Sequence, residues 1–253
     1  MREAGSTPAT LVLSHPVMPT ETHHTRDTRR AALICTVIVI GLAFDQLVPF
    51  WGQTLTNVGL WWLLLHWMRR AGREEKITLI ACLGYATLGE CFLSLVWGMY
   101  DYRLENIPAF VPPGHALLLM LGLIVARRLR DWINWFVPLA SAPCVLLLGF
   151  TGMDTFGFLL FAILILCMVF SRARKLYAVM FVLSLTMEIY GTWLGNWAWR
   201  PVVPWLGLTT TNPPLAAGVF YCLLDLLVVT TTARLMRGHD ARVPAGALAA
   251  QLK

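Results

Sequence analysis

Apolar residues along this chain fall into long, nearly continuous runs, and short stretches rich in Arg, Lys, Pro and Gly separate them. Runs at 31–50, 55–68, 77–100, 113–125, 132–151, 156–171, 176–199 and 213–235 predict eight helices, all of them apolar around most of their circumference. Most of the runs reach the ~20 residues that cross roughly 30 Å of hydrocarbon. Those at 55–68 and 113–125 are shorter and read as tilted arms or partial spans. The expected fold class is all-α, a polytopic integral membrane bundle of about eight transmembrane helices.

Charge gives the bundle a direction. Arg26, Arg29 and Arg30, then Arg69, Arg70, Arg73 and Lys76, then Arg127, Arg128 and Arg130, then Arg172, Arg174 and Lys175 all fall on one side of an alternating topology. The opposite side receives Arg103 and Arg200 alone. Lys and Arg are retained on the cytoplasmic side in short connections, so both termini are expected in the cytoplasm, with the protein in the plasma (inner) membrane. Composition agrees, because 57% hydrophobic residues, 13% charged residues and 11 tryptophans cannot cover a soluble globule with polar surface. The net charge of +6 then reads as a topology signal with room for membrane lipid as a partner. It is not a nucleic-acid footprint, since no binding motif accompanies the arginines.

Residues 1–30 are polar, lack an apolar signal-peptide core, and read as a disordered cytoplasmic tail, with a second tail at 237–253. Cys35, Cys82, Cys91, Cys144, Cys167 and Cys222 all lie within apolar runs without a CxxC pair, which points to packing and not to a disulfide framework or a metal site.

Two segments match each other. Glu90 is followed by Gly98-Met99-Tyr100-Asp101-Tyr102-Arg103 and then Pro112-Pro113; Glu188 is followed by Gly195-Asn196-Trp197-Ala198-Trp199-Arg200 and then Pro213-Pro214. Each unit reads as an acid within a span, two further turns of helix, an aromatic exit ending in arginine, an outside loop, and a Pro-Pro that opens the next helix. The glutamate stands one residue further from the glycine in the first unit. The division 31–129 and 130–236 therefore predicts two four-helix repeats in parallel orientation, related by an axis along the membrane normal.

An ionisable side chain within a span costs a few kcal/mol and marks a functional candidate. Asp45, Glu90, Glu188 and Asp225 qualify. Counted along continuous helices, Glu90 lies roughly 15 Å below Tyr100, Glu188 roughly 15 Å below Ala198 and Asp225 roughly 17 Å below Pro214, so these three share a depth near the bilayer centre. Asp45 sits nearer the outer surface. Acids at one depth on different helices predict an outward-facing polar chamber in which a protonated carboxyl donates and an ionised one accepts. Pure helix-to-helix packing is the structural alternative. His115, in the first turn after Pro112-Pro113-Gly114, is a candidate proton shuttle with Glu90 or Glu188 as partner; no HxxxH or HxxE pattern supports a metal, and no cofactor is identified. In the second unit Asn212-Pro213-Pro214 repeats the device, with Ala216 where His115 stands. Tyr100, Tyr102, Trp197 and Trp199 fit an interfacial belt or a cation-stabilising wall, and with Arg103, Arg200 and Asn212 they form the candidate substrate-binding set beside the catalytic candidates Glu90, Glu188, Asp225 and His115.

The runs Glu90 to Tyr102 with Ile107-Pro108 and Val111-Pro112, and Glu188-x-x-Gly191-x-x-x-Gly195-x-Trp197-x-Trp199, resemble the E-x-x-G-x-x-x-G-x-Y-x-Y and VP signatures of bacterial carotenoid-biosynthesis membrane proteins, among them the carotenoid 1′,2′-hydratases. The resemblance covers about a third of the chain. The second unit has Trp for Tyr, and the first has Ser94 where that pattern has glycine. The resemblance implies acid-catalysed addition or cyclisation on a polyene, with Glu188 as the better-matched acid. Three functional classes follow: an intramembrane enzyme acting on an isoprenoid, carotenoid or other hydrophobic small molecule, a small-solute or proton-coupled transporter, and a non-catalytic membrane scaffold.

Overall fold

A computed structural model describes residues 21–171 and 173–240. Among them are eight α-helices: α1 Glu21–Leu47, α2 Gly52–Arg70, α3 Arg73–Glu90, α4 Val111–Arg128, α5 Ile133–Phe150, α6 Thr155–Phe170, α7 Arg174–Leu194 and α8 Gly218–Asp240. A π-helical turn, Cys91–Val96, extends α3, and two three-residue strands, β1 Tyr100–Tyr102 and β2 Trp197–Trp199, complete the list.

Local signals set several boundaries. Pro112 and Pro113 sit in the first turn of α4, where a missing N–H costs nothing. The Asp154 carboxylate caps α6 by accepting from the Gly157 amide at 2.9 Å. α7 closes on Gly195 in the left-handed region.

Four helices make the centre: α3 packs on α4 and α8, and α7 packs on the same two. The α1–α2 pair lies against α4, and the α5–α6 pair lies against α7 and α8. α4 is enclosed on every side, with Ala116 through Gly122 all buried, as expected for a helix without a polar face. Large apolar side chains such as Ile40, Trp62, Leu88, Leu139, Phe170 and Trp193 point outward. Five helical segments, Thr25–Leu47, Arg73–Val96, Ile133–Phe150, Arg174–Leu194 and Gly218–Arg237, are long and apolar enough to cross a membrane, and Thr155–Phe170 is a shorter apolar helix. α2 and α4 fall outside this set; one carries Gln53, Asn57 and His66, the other a Pro-Pro-Gly-His start.

The basic clusters gather at one end of the bundle, where Arg30 meets Glu75 at 3.7 Å, Arg127 meets Asp27 at 3.6 Å and Lys175 meets Asp131 at 2.5 Å. The two strands lie at the other end, with Arg103 and Arg200.

Four expectations need correction. α1 begins at Glu21, so the expected disordered tail is helical over its last ten residues, and residues 1–20 lie outside the described set. The run 77–100 leaves the helix at Val96 and the run 176–199 leaves it at Leu194, which puts all four motif aromatics on strands. Pro213-Pro214 do not open α8, which starts at Gly218 after a separate turn. The expected C-terminal tail is helical as far as Asp240, beyond which it lies outside the described residues, as does Arg172.

Candidate functional site

The site is built where the two matching segments meet. Gly98 (φ 68°) and Gly195 (φ 84°) both adopt the left-handed conformation, which turns the chain sharply out of its helix and into a strand. β1 and β2 then pair antiparallel, Tyr100 with Trp199, Asp101 with Ala198 and Tyr102 with Trp197. Mirrored bonds flank the ladder: the Arg103 amide donates to the Asn196 carbonyl and the Arg200 amide to the Met99 carbonyl, each at 2.9 Å. Side chains alternate across a strand, so Tyr100, Tyr102, Trp197 and Trp199 face inward together while Asp101 and Ala198 face out. Tyr100 lies 4.7 Å from Trp199 and Tyr102 lies 6.2 Å from Trp197, ring centre to ring centre.

The inward face clamps two acids. Glu90 Oε2 accepts from the Tyr100 hydroxyl at 2.7 Å and the Tyr102 hydroxyl at 2.6 Å, and Oε1 lies 2.9 Å from His115 Nε2. Glu188 Oε2 accepts from the Trp197 and Trp199 indoles at 2.8 and 3.0 Å, and Oε1 accepts from the Tyr221 hydroxyl at 3.0 Å. Each carboxyl thus has two aromatic donors from its own strand and one group from the following helix. The rings of His115 on α4 and Tyr221 on α8 stack 4.8 Å apart and so bring the two carboxyl clusters together.

The π-helical turn explains the sequence offset. A π turn accommodates one residue more than an α turn, and the first unit has one residue more between glutamate and glycine. Counted to Val96 and to Leu194, both acids stand six residues before the end of their helical segment, and the additional residue of the first unit is Trp97, whose amide closes the π turn by donating to the Phe92 carbonyl five residues back at 2.7 Å. Both acids thus lie toward the hairpin end of their helices, and the count that put them some ten residues inside a continuous helix fails because the chain is no longer helical at Tyr100 or Ala198.

The counterpart of His115 is Tyr221 and not Ala216, since α8 begins later relative to its Pro-Pro than α4 does. Asp225 is buried with neither carboxyl oxygen hydrogen-bonded to a described residue, and it does not line the cavity at Glu90 and Glu188. The two arginines at the hairpin end differ in role. Arg103 reaches the buried Asp45 carboxylate at 3.3 Å and its carbonyl at 2.7 Å, whereas Arg200 lies 3.2 Å from Asp101 in solvent. There the hydrogen bond and charge of Asp101 raise the Arg200 pKa above its ordinary value. Asn212 Oδ1 accepts from the Trp199 amide at 2.9 Å and so anchors β2 from outside, away from the acids. Asn196 was not singled out in the sequence; its side-chain amide donates to Asp45 Oδ2 at 2.7 Å and to the Leu42 carbonyl at 3.1 Å.

A cavity of about 70 Å³ opens beside the acids. Its polar end is Glu90, Glu188, His115 and Tyr221, and its walls are apolar side chains of α1, α2, α4 and α7, including Val37, Ile38, Leu60 and Leu118. Neither α5 nor α6 contributes, and Met187, Glu188, Trp197 and Tyr221 line the side facing the second unit. His115 Nδ1 is buried there without a hydrogen-bond partner among the described residues. Among the described residues, no three His, Cys, Asp or Glu side chains stand together as a metal-binding group. No family model matches the chain, and no curated protein or solved structure matches it either.

Proposed function

We propose that this chain is a multi-pass plasma-membrane enzyme that adds a proton to an alkene or ether of an isoprenoid, carotenoid or similar lipid, with hydration or cyclisation as the outcome. Its eight helices are read as eight spans, four from each of two duplicated halves, with both termini in the cytoplasm and the hairpin outward. The mirrored clamps on Glu90 and Glu188 support the duplication, and the clustering of basic residues at one bundle end supports the orientation.

The observation that carries the chemical reading is the Glu90–His115 contact at 2.9 Å at the end of an apolar cavity. Glu90 and His115 share a proton within reach of that cavity, and two tyrosines hold the other carboxylate oxygen in place. In the proposed step the alkene's π pair takes this proton to form a C–H bond and leaves a cation on the neighbouring carbon. The Glu188 carboxyl and the faces of Tyr102 and Trp197 stabilise that cation. A water then forms the C–O bond and returns its proton to the Glu90–His115 pair. In cyclisation a second alkene attacks in place of water, and the proton is lost from carbon. Glu188, saturated by three donors, serves as the fixed charge and Glu90 as the proton carrier, which reverses the weight that the sequence pattern puts on Glu188.

Expression in a host making lycopene and gamma-carotene tests the reading. A product heavier by one water, or an isomer of unchanged mass, should form and should vanish in Glu90→Gln. An unchanged pigment profile with correctly inserted protein contradicts the polyene assignment. Proton-coupled transport is favoured by one observation, the buried Asp225 without a hydrogen-bond partner; proton flux in liposomes that is lost in Asp225→Asn and kept in Glu90→Gln would select it.

A further inference from the structure

At the end of the bundle opposite the hairpin, an open groove of about 560 Å³ runs between the beginning of α1 and the last turns of α2. Arg26, Arg29, Arg30 and Leu33 of α1 line it, with Trp67 and Arg70 of α2. Elsewhere at this end Arg127 meets Asp27, Lys175 meets Asp131 and Arg128 donates to Thr28 at 3.0 Å, while the side chains of Arg69, Arg73, Lys76 and Arg130, which do not line the groove, make no ion pair or hydrogen bond with a described residue. In the groove Arg30 alone is neutralised, by Glu75 at 3.7 Å, and its guanidinium lies 5.8 Å above the Trp67 ring. Arg26, Arg29 and Arg70 make no ion pair or hydrogen bond with any described residue.

Like charges three and four residues apart on one helix repel, so converging guanidiniums destabilise the fold unless an anion sits among them. Arg29 lies eighteen residues before Leu47, about 27 Å along α1, which puts the groove at headgroup level on the side away from the hairpin. Trp67 is buried behind it, and the exposed Leu33 continues the wall toward the apolar part of α1, where an acyl chain would lie.

We propose that this groove is a binding site for the phosphodiester headgroup of an acidic glycerophospholipid. Guanidinium forks match phosphate oxygens in pairs, and basic pockets at helix ends are suited to such headgroups. A zwitterionic lipid brings its own ammonium into the same field and loses most of the attraction. The site is independent of the proposed enzyme chemistry.

The test uses the full chain in uncharged detergent and native mass spectrometry after equilibration with phosphatidylglycerol, with phosphatidylcholine of the same acyl chains, or with inorganic phosphate. The expected result is at least about tenfold greater retention of phosphatidylglycerol than of phosphatidylcholine, lost in Arg26→Gln/Arg29→Gln/Arg70→Gln and kept in Arg127→Gln/Arg130→Gln/Arg174→Gln, which removes the same charge elsewhere. If the groove variant fails to fold, Arg70→Gln alone should reduce the preference several-fold. Equal retention of both lipids, equal loss in both triple variants, or binding of inorganic phosphate that displaces the lipid fully would overturn the proposal.

Discussion

Replacing Gly191 with alanine places a methyl in the space held by the Trp197 indole. The new Cβ would lie 2.0 Å from Cη2, 2.4 Å from Cζ2 and 2.5 Å from Cζ3 of that ring. Carbon atoms pack at about 3.5–4 Å, so the indole must move by about 1.5 Å. It is buried and tied to Glu188 at 2.8 Å, so such a shift breaks the bond. Losing a hydrogen bond to a carboxylate costs about 1.5–3 kcal/mol and overpacking about 1–3 kcal/mol, against a gain of about 1 kcal/mol for alanine in a helix. The expected net loss is about 2–5 kcal/mol, measurable by unfolding in detergent with circular dichroism and tryptophan fluorescence. The first unit suggests the compensation, because it has Ser94 four residues before its glycine and the smaller Tyr100 where Trp197 stands. Gly191→Ala/Trp197→Tyr should therefore recover at least half of the loss, with the tyrosine hydroxyl reaching its glutamate as Tyr100 does. A single variant as stable as the parent, or a double variant no better than the single, would refute the reasoning.

Further outcomes follow from the same geometry. Arg103→Met leaves Asp45 buried with only Asn196 and should cost about 3 kcal/mol, whereas Asp101→Asn at the exposed Arg200 pair should cost no more than about 1 kcal/mol; equal losses in a thermal melt would contradict the difference in burial. His115→Phe keeps a ring against Tyr221 but removes the Nε2 contact with Glu90, so turnover on a reactive polyene should fall by about 10²–10⁴ while the protein stays folded; undiminished turnover would remove His115 from the chemistry. In a cysteine-free background, Leu104→Cys should react with an impermeant thiol reagent on intact cells and Gly72→Cys only after permeabilisation, and the reverse pattern would invert the assigned orientation.

Helix number and placement were legible because continuous apolar runs leave little choice of register: seven of the eight expected segments end within five residues of a helix boundary at both ends, the exception being the first, which starts ten residues early. The motif order also grouped residues that meet in space, since Glu90, Glu188, His115 and all four aromatics come together at one end of the bundle. What the sequence concealed was conformation at the exits. A three-residue strand has too short a period-two pattern to stand out after an apolar helix, so the aromatics read as an interfacial belt or a cation-stabilising wall and not as donors folded back onto the acids. Tyr221 was hidden because α8 begins four residues after Pro214, which breaks the spacing that led to His115. Asp225 shared the expected character of the other acids, and only its side-chain direction separates it from them; pattern alone does not fix that direction in a helix buried on several sides.

The central claim is that Glu90 and His115 deliver a proton to carbon. The most direct measurement is turnover of a lycopene-type polyene by the detergent-purified protein in D₂O, with the product's isotopic mass and the labelled position determined. The account predicts one deuterium on carbon per hydration, formed by the parent and by Arg70→Gln and absent from Glu90→Gln. A product without carbon-bound deuterium, or labelled product from Glu90→Gln at the parent's rate, would contradict it.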